Sequence, residues 1–319
     1  MSASALADVL SGPGCPLFAH RDPEITVLPY LREHLPSAIT QEYLTRNARP
    51  PYVVFATYPP TASPPRDGTW STAVLDPTCR NETGLWFWSS VESALVSPSI
   101  DNVELSPKLD SLFQTAQTHL DKILSHIATL YTEIDSLIIG NLHSAFTPFM
   151  KSQPSTTRVS ENWAKMIYTP EALPPPSSAL SEDEYRFGQI EERHLDEVLS
   201  TSSVARGRAT VLTSPNTAIF SRATDEPLAW CFTSREGSVS TLYVRPEARG
   251  RGLGKAAMRA ELVRAFERDG RPFGSVEVSL TNEASLGLSE SMGARKRWEV
   301  VWATVNLEAL RRTAAAPAS

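Results

Sequence analysis

The chain has 319 residues, 30 of them basic and 36 acidic, and its net charge of -6 gives no overall field that favours nucleic acid or an anionic membrane. Its three cysteines lie far apart and form no C-x-x-C pair, which argues against a structural zinc site or a disulfide framework. Neither a secretory signal pattern nor an apolar run of membrane-spanning length is apparent. We therefore expect a cytoplasmic protein with room for two domains and with no metal, nucleic-acid or membrane partner.

The first half of the chain predicts a small sheet and a long helical segment. Three apolar runs have the length and composition of strands and lie at residues 52–57, 70–75 and 85–89. Apolar residues then recur at helical spacing over residues 107–142, which predicts one long or two successive amphipathic helices. In the third strand, Trp86, Phe87 and Trp88 favour a buried aromatic strand over an aromatic wall for an apolar ligand.

A change in composition at residues 169–183 divides the chain. Three consecutive prolines, with serines and acidic residues around them, cannot continue a helix or a strand, so the segment is typical of a surface linker. It separates an N-terminal α+β domain over residues 1–168 from a C-terminal domain over residues 184–319.

The C-terminal domain has the predicted element order β-α-β-β-β-loop-α-β-α-β. Apolar and alternating runs predict its strands at residues 185–190, 216–221, 228–233, 238–244, 274–281 and 297–307. Helical spacing predicts its helices at residues 192–202, 256–268 and 282–293. A turn at residues 235–237 joins the third and fourth of these strands, and Asn282 has the side chain of a helix N-cap.

The most informative segment is the loop between the strand at residues 238–244 and the helix after it. This glycine–arginine loop consists of Arg249, Gly250, Arg251, Gly252, Leu253, Gly254 and Lys255. Glycines let backbone N–H groups approach phosphate oxygens, and a helix start adds unpaired N–H groups and the positive end of the helix dipole. Because three cationic side chains are added, the loop predicts a pyrophosphate site.

Spacing separates this loop from two other phosphate-binding motifs. A dinucleotide-binding fingerprint counted from Gly250 needs a third glycine where Lys255 stands. A P-loop needs Ser or Thr after its lysine, where this chain has Ala256. The spacing that remains is R-x-x-G-x-G, formed by Arg249, Gly252 and Gly254.

This R-x-x-G-x-G loop resembles the coenzyme A pyrophosphate loop of the GNAT superfamily of acyltransferases. Residues 282–293, which read NEASLGLSESMG, resemble the family's N-x-x-(A/S)-x-x-L-(Y)-x-x-x-G helix, and the element order over residues 185–307 is similar to the family's. Within the family, residues 228–230 (LAW) and 241–247 (TLYVRPE) resemble the glycine N-acyltransferase branch, especially its fungal two-domain members.

The resemblance implies a fold. It implies an α+β protein whose C-terminal half has the GNAT fold: a mixed, mainly antiparallel sheet with flanking helices and splayed fourth and fifth strands. The N-terminal half would be a degenerate GNAT-like α+β domain that lines the acceptor site. Because that half lacks an R-x-x-G-x-G loop, we expect it to bind no coenzyme A.

The resemblance also implies which residues hold the co-substrate, acetyl-CoA or another acyl-CoA. The backbone of Leu242, Tyr243 and Val244 would pair with the pantetheine arm while their side chains fill the core. Residues 249–255 would hold the pyrophosphate. The side chains implied to face the pantetheine, with a plain N-cap role as the alternative for the first, are those of Asn282 and Ser285.

The catalytic groups cannot be copied from the family. Its fourth-strand glutamate is matched by Ser240 or Thr241 and its helix tyrosine by Ser289, so this chain has neither the carboxylate nor the phenol there. A serine cannot accept a proton near neutral pH but can hydrogen-bond a departing thiolate or hold a water. Glu277 on the fifth strand could point toward the site, although a solvent-facing residue is favoured, and Glu236 has the pattern of an exposed loop acid.

The sequence therefore predicts an acyl-CoA-dependent N-acyltransferase that moves an acetyl or larger acyl group to the amine of a small molecule in a ternary complex. A positioned water and a backbone N–H of the fourth strand are the expected catalytic groups. A protein lysine or N-terminal acetyltransferase remains an alternative, which an open acidic groove would favour. A non-catalytic acyl-CoA-binding protein remains another, because the family's glutamate and tyrosine are absent.

Overall fold

The computed structural model describes residues 17–79, 82–95, 107–176, 180–202 and 206–315. These residues fall into two compact units, one within Met1–Asn162 and Trp298–Ser319 and the other within Trp163–Arg297. The first unit therefore includes residues from the end of the chain, and the second includes residues that precede the predicted linker.

The strands and helices are numbered in chain order. The strands are β1 (Phe18–Ala19), β2 (Val53–Ala56), β3 (Ser71–Leu75), β4 (Thr83–Ser89), β5 (Ser136–His143), β6 (Thr156–Val159), β7 (Trp163–Tyr168), β8 (Tyr185–Gly188), β9 (Asn216–Ser221), β10 (Pro227–Thr233), β11 (Val239–Val244), β12 (Gly274–Ser279) and β13 (Arg295–Asn306). The helices are α1 (Pro23–Thr26), α2 (Leu28–Glu33), α3 (Ile39–Asn47), α4 (Glu92–Leu95), α5 (Pro107–Leu130), α6 (Thr147–Ser152), α7 (Leu195–Thr201), α8 (Arg208–Thr213), α9 (Leu253–Val263), α10 (Glu283–Ser291) and α11 (Leu307–Ala315).

The two units differ from the division predicted at residues 168 and 184. β7 precedes the linker yet belongs to the second unit, and most of β13 follows the second unit's helices yet belongs to the first. The physical reason is that a strand joins the sheet with which it shares hydrogen bonds, whichever side of a linker it occupies in the sequence. An apolar strand pattern does not identify the strand's partners.

In the first unit the strand order is β1-β2-β3-β4-β5-β13, and β6 also pairs with β13. Neighbouring strands are antiparallel except β4 and β5, which are parallel. The buried side chains of α5 pack with one face of this sheet, and residues of α2 and α3 pack with the other. Trp86, Phe87 and Trp88 are all buried, as the aromatic-strand interpretation expects.

The helix predicted over residues 107–142 is wrong in its second part. α5 ends at Leu130, and residues 136–143 form β5. Short apolar runs fit helical and extended periods about equally well, so periodicity alone does not decide between them. β5 pairs with β4 on one edge and β13 on the other, and these tertiary hydrogen bonds favour the strand.

In the second unit the strand order is β7-β12-β11-β10-β9-β8, and only β11 and β12 are parallel among the described pairs. Buried residues of α9 and α10 pack with one face of the sheet, and residues of α7 and α8 pack with the other. A mixed, mainly antiparallel sheet with flanking helices confirms the predicted fold class. α8 has no counterpart among the predicted elements, and the helix predicted at residues 192–202 becomes a short turn followed by α7.

The predicted linker is held against the second unit at two points. Arg259 Nε donates a hydrogen bond to Pro174 O over 2.9 Å. Gly293, at the end of α10, has a φ of +87°, and a Cβ added there would lie 2.1 Å from Ala172 O. The missing side chain at Gly293 therefore lets the linker backbone pass close to the helix end.

Candidate active site

β11 and β12 are parallel neighbours that separate soon after they begin. Their ladder consists of one Cα pair, Val239 with Val276. On its other edge β11 pairs with β10 as far as Val244, opposite Ala229. Over residues 240–244 no described strand pairs with the edge of β11 that faces β12, although backbone N–H and C=O groups require hydrogen bonds. The two strands thus leave a gap bordered by an open strand edge.

A β-bulge lies where β11 leaves β12. Trp230 pairs with Tyr243 and Phe232 with Ser240, so β11 has one residue more than β10 between these pairs. Thr241, inside the bulge, has a φ of 51°, a left-handed conformation that is costly for a β-branched residue. Because a bulge turns the peptide groups of its strand out of the ladder, this one offers them beside the gap.

The three strand residues predicted to flank a ligand arm lie along this open edge. Leu242, Tyr243 and Val244 are half-buried. Leu242 and Val244 pack on the side of α9 and α10, while Tyr243 stacks on Trp230 with ring centroids 4.9 Å apart. Their side chains therefore fill the core while their backbone borders the gap. That this backbone pairs with a pantetheine arm stays a prediction.

The glycine–arginine loop follows β11 and ends in the first turn of α9. Gly250 and Gly252 have φ values of +76° and +80°, and a Cβ added at either would meet nothing within 4 Å. The glycines are therefore required by backbone conformation rather than by crowding. Gly252 is the N-cap of α9 and makes no side-chain cap. The first N–H groups of α9 thus have no intrahelical acceptor and remain available to a ligand.

The cationic side chains of this loop are exposed and form no ion pair with the described residues. Arg249 Nε donates to Val244 O over 3.2 Å, and Arg251 Nη2 donates to Glu247 O over 3.0 Å. Lys255 is exposed in the first turn of α9. Among the described residues no carboxylate pairs with any of the three. Their charges add to the positive end of the helix dipole, so the loop attracts an anion.

Arg245, just ahead of this loop, has a different role. Its Nε and Nη2 each donate to a carboxylate oxygen of Glu197 over 2.6 Å, and Nη2 also reaches Glu226 over 3.2 Å. The bond with Glu197 raises the pKa of Arg245. Because its charge is neutralised, Arg245 ties the end of β11 to α7 rather than attracting a ligand.

α10 begins after β12 at the predicted N-cap. Asn282 Oδ1 accepts a hydrogen bond from Ser285 N over 3.1 Å, which confirms the capping role and leaves the pantetheine contact a prediction. Ser289, at the position of the family's tyrosine, is buried next to Tyr168 of β7. Burial raises the pKa of Tyr168, the Ser289 hydroxyl opposes this, and the phenol donates to Met258 Sδ over 3.4 Å. The phenol of Tyr168, on β7, therefore lies beside Ser289 of α10.

Glu277 is not the solvent-facing residue that the strand pattern favoured. Its side chain is 8% exposed and forms an ion pair with Lys165, directly opposite on β7, whose side chain is 1% exposed. Ser238 Oγ donates to Glu277 Oε1 over 2.8 Å. The solvent-facing interpretation fails because β12 is an inner strand covered on both faces, so alternation with Val276 and Val278 does not place the intervening side chain in water.

A second carboxyl group accompanies Glu277. Glu236, in the turn between β10 and β11, is half-buried rather than exposed as predicted. Burial raises its pKa and so does the charge of Glu277, while Arg206 and Lys165 act in the opposite direction. The prediction failed because charged residues of other elements gather at this turn. We refer to Glu277, Glu236, Lys165, Arg206 and Ser238 as the carboxylate cluster.

The carboxylate cluster lies at the level where β11 and β12 separate. Since Val239 pairs with Val276, Ser240 is as far along β11 as Glu277 is along β12. Lys165 was missed in the sequence, although a lysine in the otherwise apolar run Trp-Ala-Lys-Met-Ile-Tyr is a visible signal. Lysine is almost never fully buried without a partner, so such a residue points to a buried carboxylate elsewhere in the chain.

Comparison with known proteins identifies the family. The family model described as acyl-CoA N-acyltransferase verG N-terminal domain matches residues 14–185, more than half of the chain. The chain belongs to this acyl-CoA N-acyltransferase family. A second model, described as FR47-like protein, matches residues 216–303, from β9 into β13. No curated protein matches the chain significantly.

Solved structures show the fold over nearly the whole chain. A Drosophila protein has a TM-score of 0.60 at 17% identity, covering 92% of this chain and 99% of its own. A GCN5-related N-acetyltransferase from Sphaerobacter thermophilus scores 0.48 at 12% identity (91% and 95% covered). A tandem GNAT protein from the clavulanic acid biosynthesis pathway scores 0.46 at 11% identity (92% and 99% covered). By its family match the chain is an acyl-CoA N-acyltransferase, and the family implies an acyl-CoA co-substrate.

The described cysteines offer no nucleophile for a covalent intermediate. Cys79 and Cys231 are buried and unlinked, and Cys15 lies outside the described residues. Burial raises the pKa of the Cys231 thiol, which keeps it protonated and unreactive. Over the described ranges, no helix is both long and apolar enough to cross a membrane, and no group of three His, Cys, Asp or Glu is arranged to bind a metal.

Proposed function

We propose that the protein transfers an acetyl or larger acyl group from coenzyme A to the amine of a small molecule, directly and in a ternary complex. One observation carries the proposal. Three exposed cations without carboxylate partners lie at the start of α9, after a strand whose edge toward β12 is open. Such an arrangement offers charge and N–H donors to a pyrophosphate, and a strand edge to an arm that contains amides.

In the proposed complex each part of acyl-CoA has its own contact. Residues 249–255 bind the pyrophosphate through backbone N–H groups and through Arg249, Arg251 and Lys255. The open edge of residues 242–244 pairs with the pantetheine amides. The residues proposed to border the arm from the side of α10 are Asn282 and Ser285.

The chemistry needs a neutral amine, an acceptor for its proton and donors for the developing oxyanion. We assign proton acceptance to Glu277, directly or through a water, because it is the carboxylate at the level where the strands separate. The amine nitrogen bonds to the thioester carbon, the C–S bond breaks and the thiolate leaves. Backbone N–H groups of the bulge would donate to the oxyanion. Ser240 would hold the water, and Ser289 would hydrogen-bond the departing sulfur.

The acceptor is proposed to be a small molecule. This rests on the resemblance of residues 228–230 and 241–247 to the glycine N-acyltransferase branch. That the first unit lines the acceptor site and that the protein is cytoplasmic remain predictions.

The test begins with thermal unfolding of the full chain with acetyl-CoA and with longer acyl-CoAs. A ligand that binds only the folded state raises stability by about 2.7 kcal/mol at a hundredfold excess over Kd. Free-thiol release is then measured against a panel of small amines and lysine peptides. A rise in Tm with thiol release that requires a small amine is the expected result, and the acyl-CoA with the largest kcat/KM identifies the donor.

Three other outcomes would reject parts of the proposal. Release with peptides alone would favour the protein acetyltransferase. A rise in Tm without release for any amine would favour the non-catalytic alternative, which the serines at positions 240 and 289 keep open. No rise in Tm with any acyl-CoA would reject the glycine–arginine loop as a pyrophosphate site.

A further inference from the structure

A lysine is buried in the middle of β7. The Lys165 side chain is 1% exposed, and its Nζ forms an ion pair with Oε1 of Glu277. The two residues are direct cross-strand partners of β7 and β12. Because lysine is almost never fully buried unless it is paired, the pairing with Glu277 is what allows a lysine at this position.

Stability does not explain this pair. Removing two charges from water is costly, and replacing a buried ion pair by apolar side chains is often neutral or stabilising. The neighbours of Lys165 along β7, Ala164 and Met166, are fully buried and apolar. The buried ion pair is therefore weak evidence for a role in stability, which leads us to consider a role in function.

The two oxygens of Glu277 have different surroundings. Oε1 accepts from both the Lys165 ammonium and Ser238 Oγ, the latter over 2.8 Å. Within the described ranges no donor reaches Oε2, and Oε2 is not one of the buried polar atoms that lack a partner, so it faces accessible space. One oxygen therefore anchors the carboxylate, while the other keeps a lone pair that can take a proton.

We propose that Lys165 is a positioning residue of the transfer reaction: its ion pair with Glu277 holds the free oxygen of that carboxylate at the level where β11 and β12 separate. The inference rests on the proposed function, in which Glu277 takes the proton of the acceptor amine. Lys165 acts through Glu277 rather than on a substrate.

Charged groups from several elements influence Glu277. Lys165 reaches it from β7 and Glu236 from the turn after β10, while Arg206, in the segment ahead of α8, acts on Glu236. Arg271, ahead of β12, donates from Nη1 to the carbonyl of that turn over 2.6 Å. Lys165 thus presents a positive charge to Glu277, and Glu236 presents a negative one. Substitutions of Lys165 and Glu236 should therefore act on Glu277 in opposite directions.

The pH dependence of amine acylation by the full chain provides the test. The acid limb of kcat reports ionisation of the group that takes the proton. Lys165→Met removes a neighbouring positive charge and makes Glu277 easier to protonate, so the limb moves to higher pH by about 1–3 units. Glu236→Gln removes a negative charge and moves the limb to lower pH. Lys165→Arg keeps the charge and leaves the limb near its original position.

A second readout needs no acceptor. The carboxyl 13C resonance of Glu277 is titrated by NMR in protein labelled at glutamate side chains, and its loss in Glu277→Gln assigns it. The midpoint of this titration should move to higher pH in Lys165→Met and to lower pH in Glu236→Gln. Lys151→Met, an exposed lysine on α6, is the matched control and should move nothing. The acyl-CoA-induced rise in Tm shows that each variant is folded.

The outcomes separate this inference from the proposed function. An unmoved acid limb and an unmoved Glu277 titration in folded Lys165→Met would overturn the inference and leave the proposed function in place. Movement in the same direction for Lys165→Met and Glu236→Gln would also overturn it. If Lys165→Met fails to fold, an unmoved titration in Glu236→Gln decides against it. Full activity of Glu277→Gln would instead reject the proton-accepting role in the proposed function.

Discussion

The glycine–arginine loop and the carboxylate cluster use charge in opposite ways. Arg249 and Arg251 are exposed and lack carboxylate partners, so their field extends to a ligand arriving from solvent. Lys165 and Glu277 are buried and paired, where low polarity makes each charge act strongly on its neighbours. Charges that bind a ligand can thus be recognised within one segment of the sequence. Charges that act on one another are brought together by strand pairing, which the sequence does not show.

The largest expected effect tests whether the carboxylate cluster takes part in the chemistry. Glu277→Gln keeps the size of the side chain but cannot take a proton, so we expect kcat to fall about 100- to 10,000-fold. Binding of acyl-CoA, measured by the rise in Tm, should persist. Glu283→Gln, an exposed change on α10, is the control. An unchanged kcat would remove the carboxylate cluster from the chemistry.

The role of the glycine–arginine loop in binding is tested by combining Arg249→Glu with Gly252→Asp. The first reverses a charge, and the second adds a carboxylate and a side chain at a φ of +80°. We expect Kd for acetyl-CoA, measured by calorimetry, to rise at least about a hundredfold, or about 2.8 kcal/mol. Arg158→Glu, an exposed charge reversal on β6, should leave Kd unchanged. Equal affinity in the folded double variant would contradict the pyrophosphate assignment.

A comparison of two glycines sharpens the contrast between open loop and packed interior. At Gly293 a Cβ would lie 2.1 Å from Ala172 O, so Gly293→Ala should lower the free energy of unfolding by about 2–3 kcal/mol. At Gly250 the space is open, and Gly250→Ala should cost about 1 kcal/mol for the left-handed conformation alone. Urea unfolding measures both. Equal losses would mean that the linker does not need the close approach at Gly293.

Acid should destabilise the protein through a buried histidine, by an amount similar to the effects of the two glycine substitutions. Burial lowers the pKa of His143 in the first unit to about 4, against 6.5 ordinarily. Because its folded pKa lies below the unfolded one, the stability from neutral His143 is fully present above about pH 6.5 and is lost as the pH falls toward 4. The free energy of unfolding should therefore drop by about 2 kcal/mol from pH 7 to pH 5, as linkage gives.

Urea unfolding at the two pH values checks this. His143 Nδ1 accepts from Ala145 N over 3.1 Å. His143→Asn keeps an acceptor for that N–H and should remove the acid-dependent loss. If the free energy of unfolding of His143→Asn fell equally between pH 7 and pH 5, the loss would come from other groups.

The sequence was sufficient where the determinants are local. Gly250 and Gly252 need their conformation whatever surrounds them, and the Asn282 cap is completed by Ser285 three residues later, so the loop and the start of α10 could be predicted. Apart from α8 and α11, the order of strands and helices from residue 185 onward followed from apolar periodicity in the same way.

Long-range pairing could not be predicted. Lys165 and Glu277 are 112 positions apart, and no period in the sequence places them opposite each other. The same limitation hid the burial of Glu277 and the strand character of residues 136–143, which β4 and β13 determine through hydrogen bonds. A single lysine in an apolar run was the one local sign of this pairing.

A ribosome making this chain must synthesise the whole second unit before the sheet of the first unit is complete. β13, which pairs with β5 and β6, belongs to the first unit from Trp298 onward and follows the second unit in the sequence. Until then the nascent polypeptide carries an unpaired edge on β5, and such edges invite aggregation. A gene cut at the proline-rich segment would also separate β7 from its partner strand β12. The two halves of the coding sequence are therefore not two folding modules, and a truncated product should be recovered as insoluble or degraded material.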